Sequence, residues 1–172
     1  MTKIIVLRGN SGSGKSTITK NLKTRLNKKV LILEQDLFRH EFIILPPSKD
    51  GDKGINDLAI EMILLILKWA KGKFDYIILD GIYSNNRYTV MFEEIVKMFK
   101  DIYAYYFDLP FEETAKRHLT RAKSQIFTVE EMRSWLKPNN QSTVLKETIL
   151  TKDMTIEQIL DIILTDIGVK QN

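Results

Sequence analysis

The chain predicts an α/β fold of three layers, a parallel sheet with helices on both faces. Two observations carry that prediction. Short β-branched apolar runs alternate with longer amphipathic stretches, and a glycine-rich segment, GNSGSGKS, joins the first run to the first amphipathic stretch. Strands of a parallel sheet read as continuous apolar runs because both of their faces are covered. The return from one strand to the next then needs a crossover helix.

Each element follows from its local pattern. Residues 3–8 and 29–34 read as the first two strands, with a helix over 15–27 between them. Asn56 or Asp57 is placed to cap a helix running to about residue 71. Residues 74–80 form a third strand, 87–99 a helix and 102–107 a fourth strand. LPFEETAKRHLTRAK opens a further helix; Thr128 with Glu131, and Thr155 with Gln158, have the spacing of capping boxes for two more. A fifth strand is expected within 144–151, and 46–54 is expected to be a mobile surface loop.

At 172 residues the chain suits one compact domain, so 1–172 is expected to be a single domain with one active site. It has no cysteine, which excludes disulfides, thiolate nucleophiles and zinc–thiolate sites. No signal peptide is read at the start and no apolar run is long enough to span a bilayer, so a cytoplasmic location is expected. A net charge of +4 is modest. The basic stretch 20–29 alternates with apolar residues like a solvated helix face and lacks the interleaved aromatics of a nucleic-acid surface. Nucleic acid is therefore not the expected partner, and oligomeric state is open.

The segment Gly9 to Ser16 satisfies G-x-x-x-x-G-K-[S/T] in the strand–loop–helix setting that the motif requires. Several backbone N–H groups must converge on a triphosphate, so the loop needs glycine's backbone freedom. Gly9, Asn10, Ser11, Gly12, Ser13, Gly14, Lys15, Ser16 and Thr17 are the expected nucleotide contacts. Lys15 brings a full charge to the β- and γ-phosphates, and the Ser16 hydroxyl suits Mg²⁺. The third strand ends YIILDG, which puts Asp80 where a metal-side acid belongs. ATP and Mg²⁺ are the expected cofactors.

After the second strand comes EQDLFR, at the end of the sheet where open α/β folds place ligands. Asp36 is the candidate base for an acceptor hydroxyl, and Arg39 a substrate contact or counter-charge. Asn85 and Arg87 are candidate substrate contacts just past the third strand. Phe38, Phe42, Tyr83 and Trp135 could wall a pocket but at these spacings suit the core as well. His40 and His118 lack partners for a triad or metal cluster. Arg117 and Arg121 lie four apart on one helix face, placed either to close over the transferring phosphoryl group or to form a charged face with Glu113.

With these residues identified, the chain resembles the small P-loop kinases that phosphorylate hydroxyl groups, the group that includes zeta-toxin kinases, chloramphenicol phosphotransferase and the kinase domain of polynucleotide kinase. It also looks like short bacterial proteins labelled uridine kinase, through RGNSGSGKST, QD-x-x-R and YYFDLPFEET-x-x-RH. The resemblance implies a P-loop NTPase fold with strand order 2-3-1-4-5 and a helical lid. It implies Asp36 as base, Lys15, Arg117 and Arg121 as phosphoryl stabilisers, Ser16 as Mg²⁺ ligand, and a small-molecule hydroxyl acceptor such as a nucleoside. The alternatives are a non-kinase P-loop regulator and a polynucleotide 5′-hydroxyl kinase. A guanine signature N-K-x-D is absent from the sequence, as is an ABC-type signature.

Overall fold

The computed structural model describes residues 1–44, 53–120, 125 and 127–169. Five strands form one all-parallel sheet in the order β2-β3-β1-β4-β5, with β1 Lys3–Gly9, β2 Val30–Glu34, β3 Tyr76–Gly81, β4 Ile102–Asp108 and β5 Glu147–Thr151. β1 is central, so the loop at its carboxyl end emerges between the ends of β3 and β4.

Alternation along each strand divides the core in two. Ile5 and Leu7 of β1, with Ile78 and Phe107, pack against α1 Lys15–Arg25 and α7 Ile156–Asp166. Ile4 and Val6, with Ile77, Leu79 and Ala104, pack against α3 Lys53–Ala70 and α4 Asn85–Met98. Burial of each such aliphatic side chain contributes about 1.5–3 kcal/mol. The fold is thus the three-layer P-loop architecture, in the strand order that the resemblance implies.

Boundaries differ from expectation for local reasons. β2 runs directly into a single turn, α2 Gln35–Leu37, and a π-helical turn Phe38–Phe42. α3 begins at Lys53, ahead of the expected cap, because Asn56 is buried and accepts a hydrogen bond from the Tyr88 hydroxyl at 2.8 Å. α4 starts two residues early, at Asn85. Only 147–151 of the expected fifth strand pairs with β4. Both capping boxes form, at α6 Val129–Ser134 and at α7. Of the expected loop 46–54, residues 46–52 lie outside the described residues, and 53 and 54 open α3. The segment expected to open with LPFEET forms α5 Phe111–Leu119. Among the described residues no helix is long and apolar enough to cross a membrane.

Candidate active site

The glycine-rich segment forms a tight loop between β1 and α1. Gly12 sits at φ 80°, and a Cβ there would lie 2.6 Å from the Thr114 carbonyl oxygen of α5. Both the backbone angle and the approach of α5 therefore demand glycine. Gly14, at φ 106°, caps α1. The Lys15 ammonium lies inside the loop, donating to Gly9 O at 2.7 Å, Asn10 O at 2.9 Å and Ser13 Oγ at 3.2 Å. Asn10 anchors the rim: its Oδ1 accepts from Lys137 N at 3.0 Å and its Nδ2 donates to Lys137 O at 3.4 Å. Ser11 and Thr17 are half-buried, and Ser16 is exposed in the first turn of α1. That helix terminus carries the positive end of the helix dipole, which suits an anion.

Asp80 is 4% exposed near the end of β3, and its Oδ2 accepts from Thr19 Oγ1 at 2.9 Å. Thr19 lies about one turn beyond Ser16 on α1, so the carboxylate is held toward the helix that bears the Ser16 hydroxyl. These hard oxygen donors suit Mg²⁺. Among the described residues no group of three or more His, Cys, Asp or Glu is placed to hold a metal ion. A magnesium ion at this place would thus take most of its ligands from phosphate and water.

Arg117 reaches the same loop from α5. Its guanidinium donates to the Ser13 carbonyl at 3.2 Å and, through Nε, to Glu113 Oε1 at 2.7 Å. The two readings of Arg117 are therefore compatible, since the i,i+4 carboxylate orients the group that touches the loop. The hydrogen bond from Arg117 holds the Glu113 carboxyl below its ordinary value. Arg121 lies outside the described residues.

Beyond the carboxyl ends of β2 and β3, Asp36 is exposed in α2, Arg39 is half-buried in the π-helical turn, and Arg87 is exposed in the first turn of α4. All three act on one buried phenol. Burial raises Tyr88 above its ordinary value, the Gln35 hydrogen bond, Arg39 and Arg87 oppose that, and Asp36 adds to it. Asn85 is placed differently: its Oδ1 accepts from Thr143 N at 3.1 Å, and its own amide donates to Asn140 Oδ1 at 2.6 Å. Its carboxamide oxygen joins α4 to the segment that follows α6. Phe38 and Tyr83 are core residues, whereas Phe42 and Trp135 are exposed. His40 is exposed, and His118 is buried, stacked on Phe127 with Nε2 2.9 Å from the Phe127 carbonyl.

Two residues that hold this region escaped sequence reasoning. Gln35 is buried, its Oε1 accepting from Ile82 N at 2.9 Å and Tyr83 N at 3.2 Å, its Nε2 donating to Tyr88 Oη at 2.6 Å. It ties the base of the Asp36 turn to the end of β3. Arg8, wholly buried at the end of β1, donates to Glu147 Oε1 at 2.6 Å, Tyr83 O at 2.7 Å and Asn140 O at 2.9 Å. Glu147 Oε2 in turn accepts from Ser142 N at 2.6 Å. Tyr83, held from both sides by Gln35 and Arg8, keeps a left-handed φ of 41°, a conformation that costs a non-glycine residue about 1–3 kcal/mol. The arginine that ends IIVLR was the available signal, because a cation in a buried strand requires a carboxylate.

No protein-family model matches the chain, and no curated protein matches it. Solved structures share its fold. The tunicamycin resistance protein of Deinococcus radiodurans is 18% identical with a TM-score of 0.70, covering 99% of this chain and 98% of that one. A sugar kinase from Janibacter sp. is 19% identical with a TM-score of 0.65 over 98% and 97%. The APS kinase CysC of Mycobacterium tuberculosis, in complex with AMPPNP and APS, is 15% identical with a TM-score of 0.62 over 96% of each chain. At these identities the likeness concerns the fold, which is one that P-loop kinases use.

Proposed function

We propose that the chain is a single-domain, ATP- and Mg²⁺-dependent kinase that transfers the γ-phosphoryl group to a hydroxyl of a small molecule, a nucleoside or similar metabolite. The observation that carries this reading is the convergence of Lys15 and Arg117 on one glycine loop, from α1 and from α5. Two cations at that place suit a transition state whose charge spreads over the phosphoryl oxygens. The three structural neighbours, one named for a sugar and one complexed with AMPPNP and APS, support the class.

In this reading the loop amides and the start of α1 bind the phosphates, and Lys15 exchanges its loop oxygens for the β- and γ-phosphate oxygens. Ser16 and Asp80 would hold Mg²⁺ beside the phosphates, where the ion would supply charge neutralisation. Asp36 accepts a hydrogen bond from the acceptor hydroxyl and takes its proton as the new P–O bond forms and the bond to ADP breaks. Arg39 and Arg87 orient the acceptor, Arg117 follows the transferring group, and Arg121, four residues on in the sequence, is assigned the same duty. With a loose transition state the carboxylate acts mainly by aim.

The test is a screen of hydroxyl-bearing metabolites, nucleosides and sugars first, for ADP release above the ATP-only background, each product checked by mass. An oligonucleotide with a free 5′ hydroxyl belongs in the same screen, and its selective phosphorylation would replace the small acceptor with a polynucleotide. Asp36→Asn is expected to lower turnover by about 10²–10⁴ while ATP affinity changes little. Normal turnover in that variant would remove Asp36 from the base role.

A further inference from the structure

α3 is apolar on two faces, and the core explains only one. Ala59, Ile63, Leu67 and Ala70 are buried against the sheet. On the other side Leu58, Leu65 and Trp69 are 41%, 65% and 58% exposed, and Met62, half-buried, lies between them with part of its side chain packed against the core. The steps 58, 62, 65, 69 are four, three and four residues, the a/d spacing of a helix-pairing seam. Monomers rarely leave large apolar side chains in a continuous row. Trp69 is also held in place, with Lys73 Nζ 4.2 Å from its ring centroid and Phe74 tilted against it. A fixed aromatic of this kind suits the anchor of an interface.

Exposed Glu61 and Lys68 stand seven residues apart, and so share one position beside the seam. We propose that this seam joins two copies of the chain through antiparallel α3 helices. A twofold axis between positions 62 and 65 sets Leu58 of one copy against Trp69 of the other, and Met62 against Leu65. In an antiparallel pair each flank meets the same flank reversed, so Glu61 comes beside the partner's Lys68, and Lys68 beside the partner's Glu61. Such a contact is isologous and closes on itself. A parallel pair would set this flank against the opposite one, where Ala59 and Ile66 offer no charge. Glu94 of α4, which also feels Lys68, is paired with Lys97 at 2.7 Å.

Sedimentation of the full chain over a concentration series tests the pairing, with circular dichroism melts to show that each variant folds. The wild type is expected to dimerise, and Leu65→Glu to be monomeric. Glu61→Lys and Lys68→Glu, both at exposed positions, are each expected to weaken the dimer by about tenfold, near 1.4 kcal/mol. The double swap Glu61→Lys with Lys68→Glu restores the pairs and hence the dimer. A wild type that stays monomeric overturns the proposal, as do single swaps without effect or a double swap that fails to restore association.

Discussion

The glycine-rich loop after β1 and the shelf formed by Gln35, Tyr88 and Arg8 are organised by different physics. In the loop, the contacts that hold Lys15 run between residues at most six apart in sequence, to Gly9, Asn10 and Ser13, and only the rim reaches further, Asn10 to Lys137 and Ser13 to Arg117. On the shelf, contacts span distant parts of the chain: Gln35 to Tyr88, Tyr88 to Asn56, Arg8 to Glu147. Local geometry can be written into a short motif. A network assembled from five segments cannot, because each residue's partner is known only once the sheet has formed. The setting of Lys15 is therefore local, whereas the shelf depends on the whole fold.

Lys15→Ala gives the largest expected effect, loss of phosphoryl transfer with little change in melting temperature, checked by ADP release and a thermal melt. A fall in stability to match the loss of activity would erase the contrast between the two regions. Glu147→Ala should do the reverse. It leaves Arg8 buried without its carboxylate, at a cost of about 3–5 kcal/mol, read by urea unfolding. Gln35→Ala removes one acceptor from two backbone amides and a donor from Tyr88, and is expected to cost about 1–3 kcal/mol. Because Gln35 adjoins Asp36, turnover should drop as well, while ATP affinity holds.

The smallest effect is a pH dependence. Glu113 titrates below its ordinary range in the folded chain because Arg117 holds its charged form. The stabilisation it lends is present above the ordinary glutamate range and is lost as pH falls through the lowered folded value. Acid titration of Glu113 followed by carbon NMR should find that lowered value, and Arg117→Ala should return it to the ordinary range.

These contrasts also explain what could be read without coordinates. The loop between β1 and α1 was legible because the motif over Gly9 to Thr17 fixes residue types at fixed spacing, and the strand order came with the family that the motifs resemble. Asp36, Arg39 and Arg87 were legible as charges near strand ends, and each bears on the titration of Tyr88. Asn56 was misread as a cap because its role depends on Tyr88, 32 residues away. Gln35 hid behind Asp36: a buried amide bridging two strands has no local signature. Arg8 announced that it needed a partner, but Glu147 lies 139 residues downstream.

The central claim is that the loop at the end of β1 takes the phosphates of ATP with Mg²⁺, and titration calorimetry of the full chain tests it most directly. Saturable one-site binding of ATP that requires magnesium, and that Lys15→Ala abolishes or greatly weakens, is the predicted result. No heat of binding in the wild type, or binding indifferent to Lys15, would contradict it.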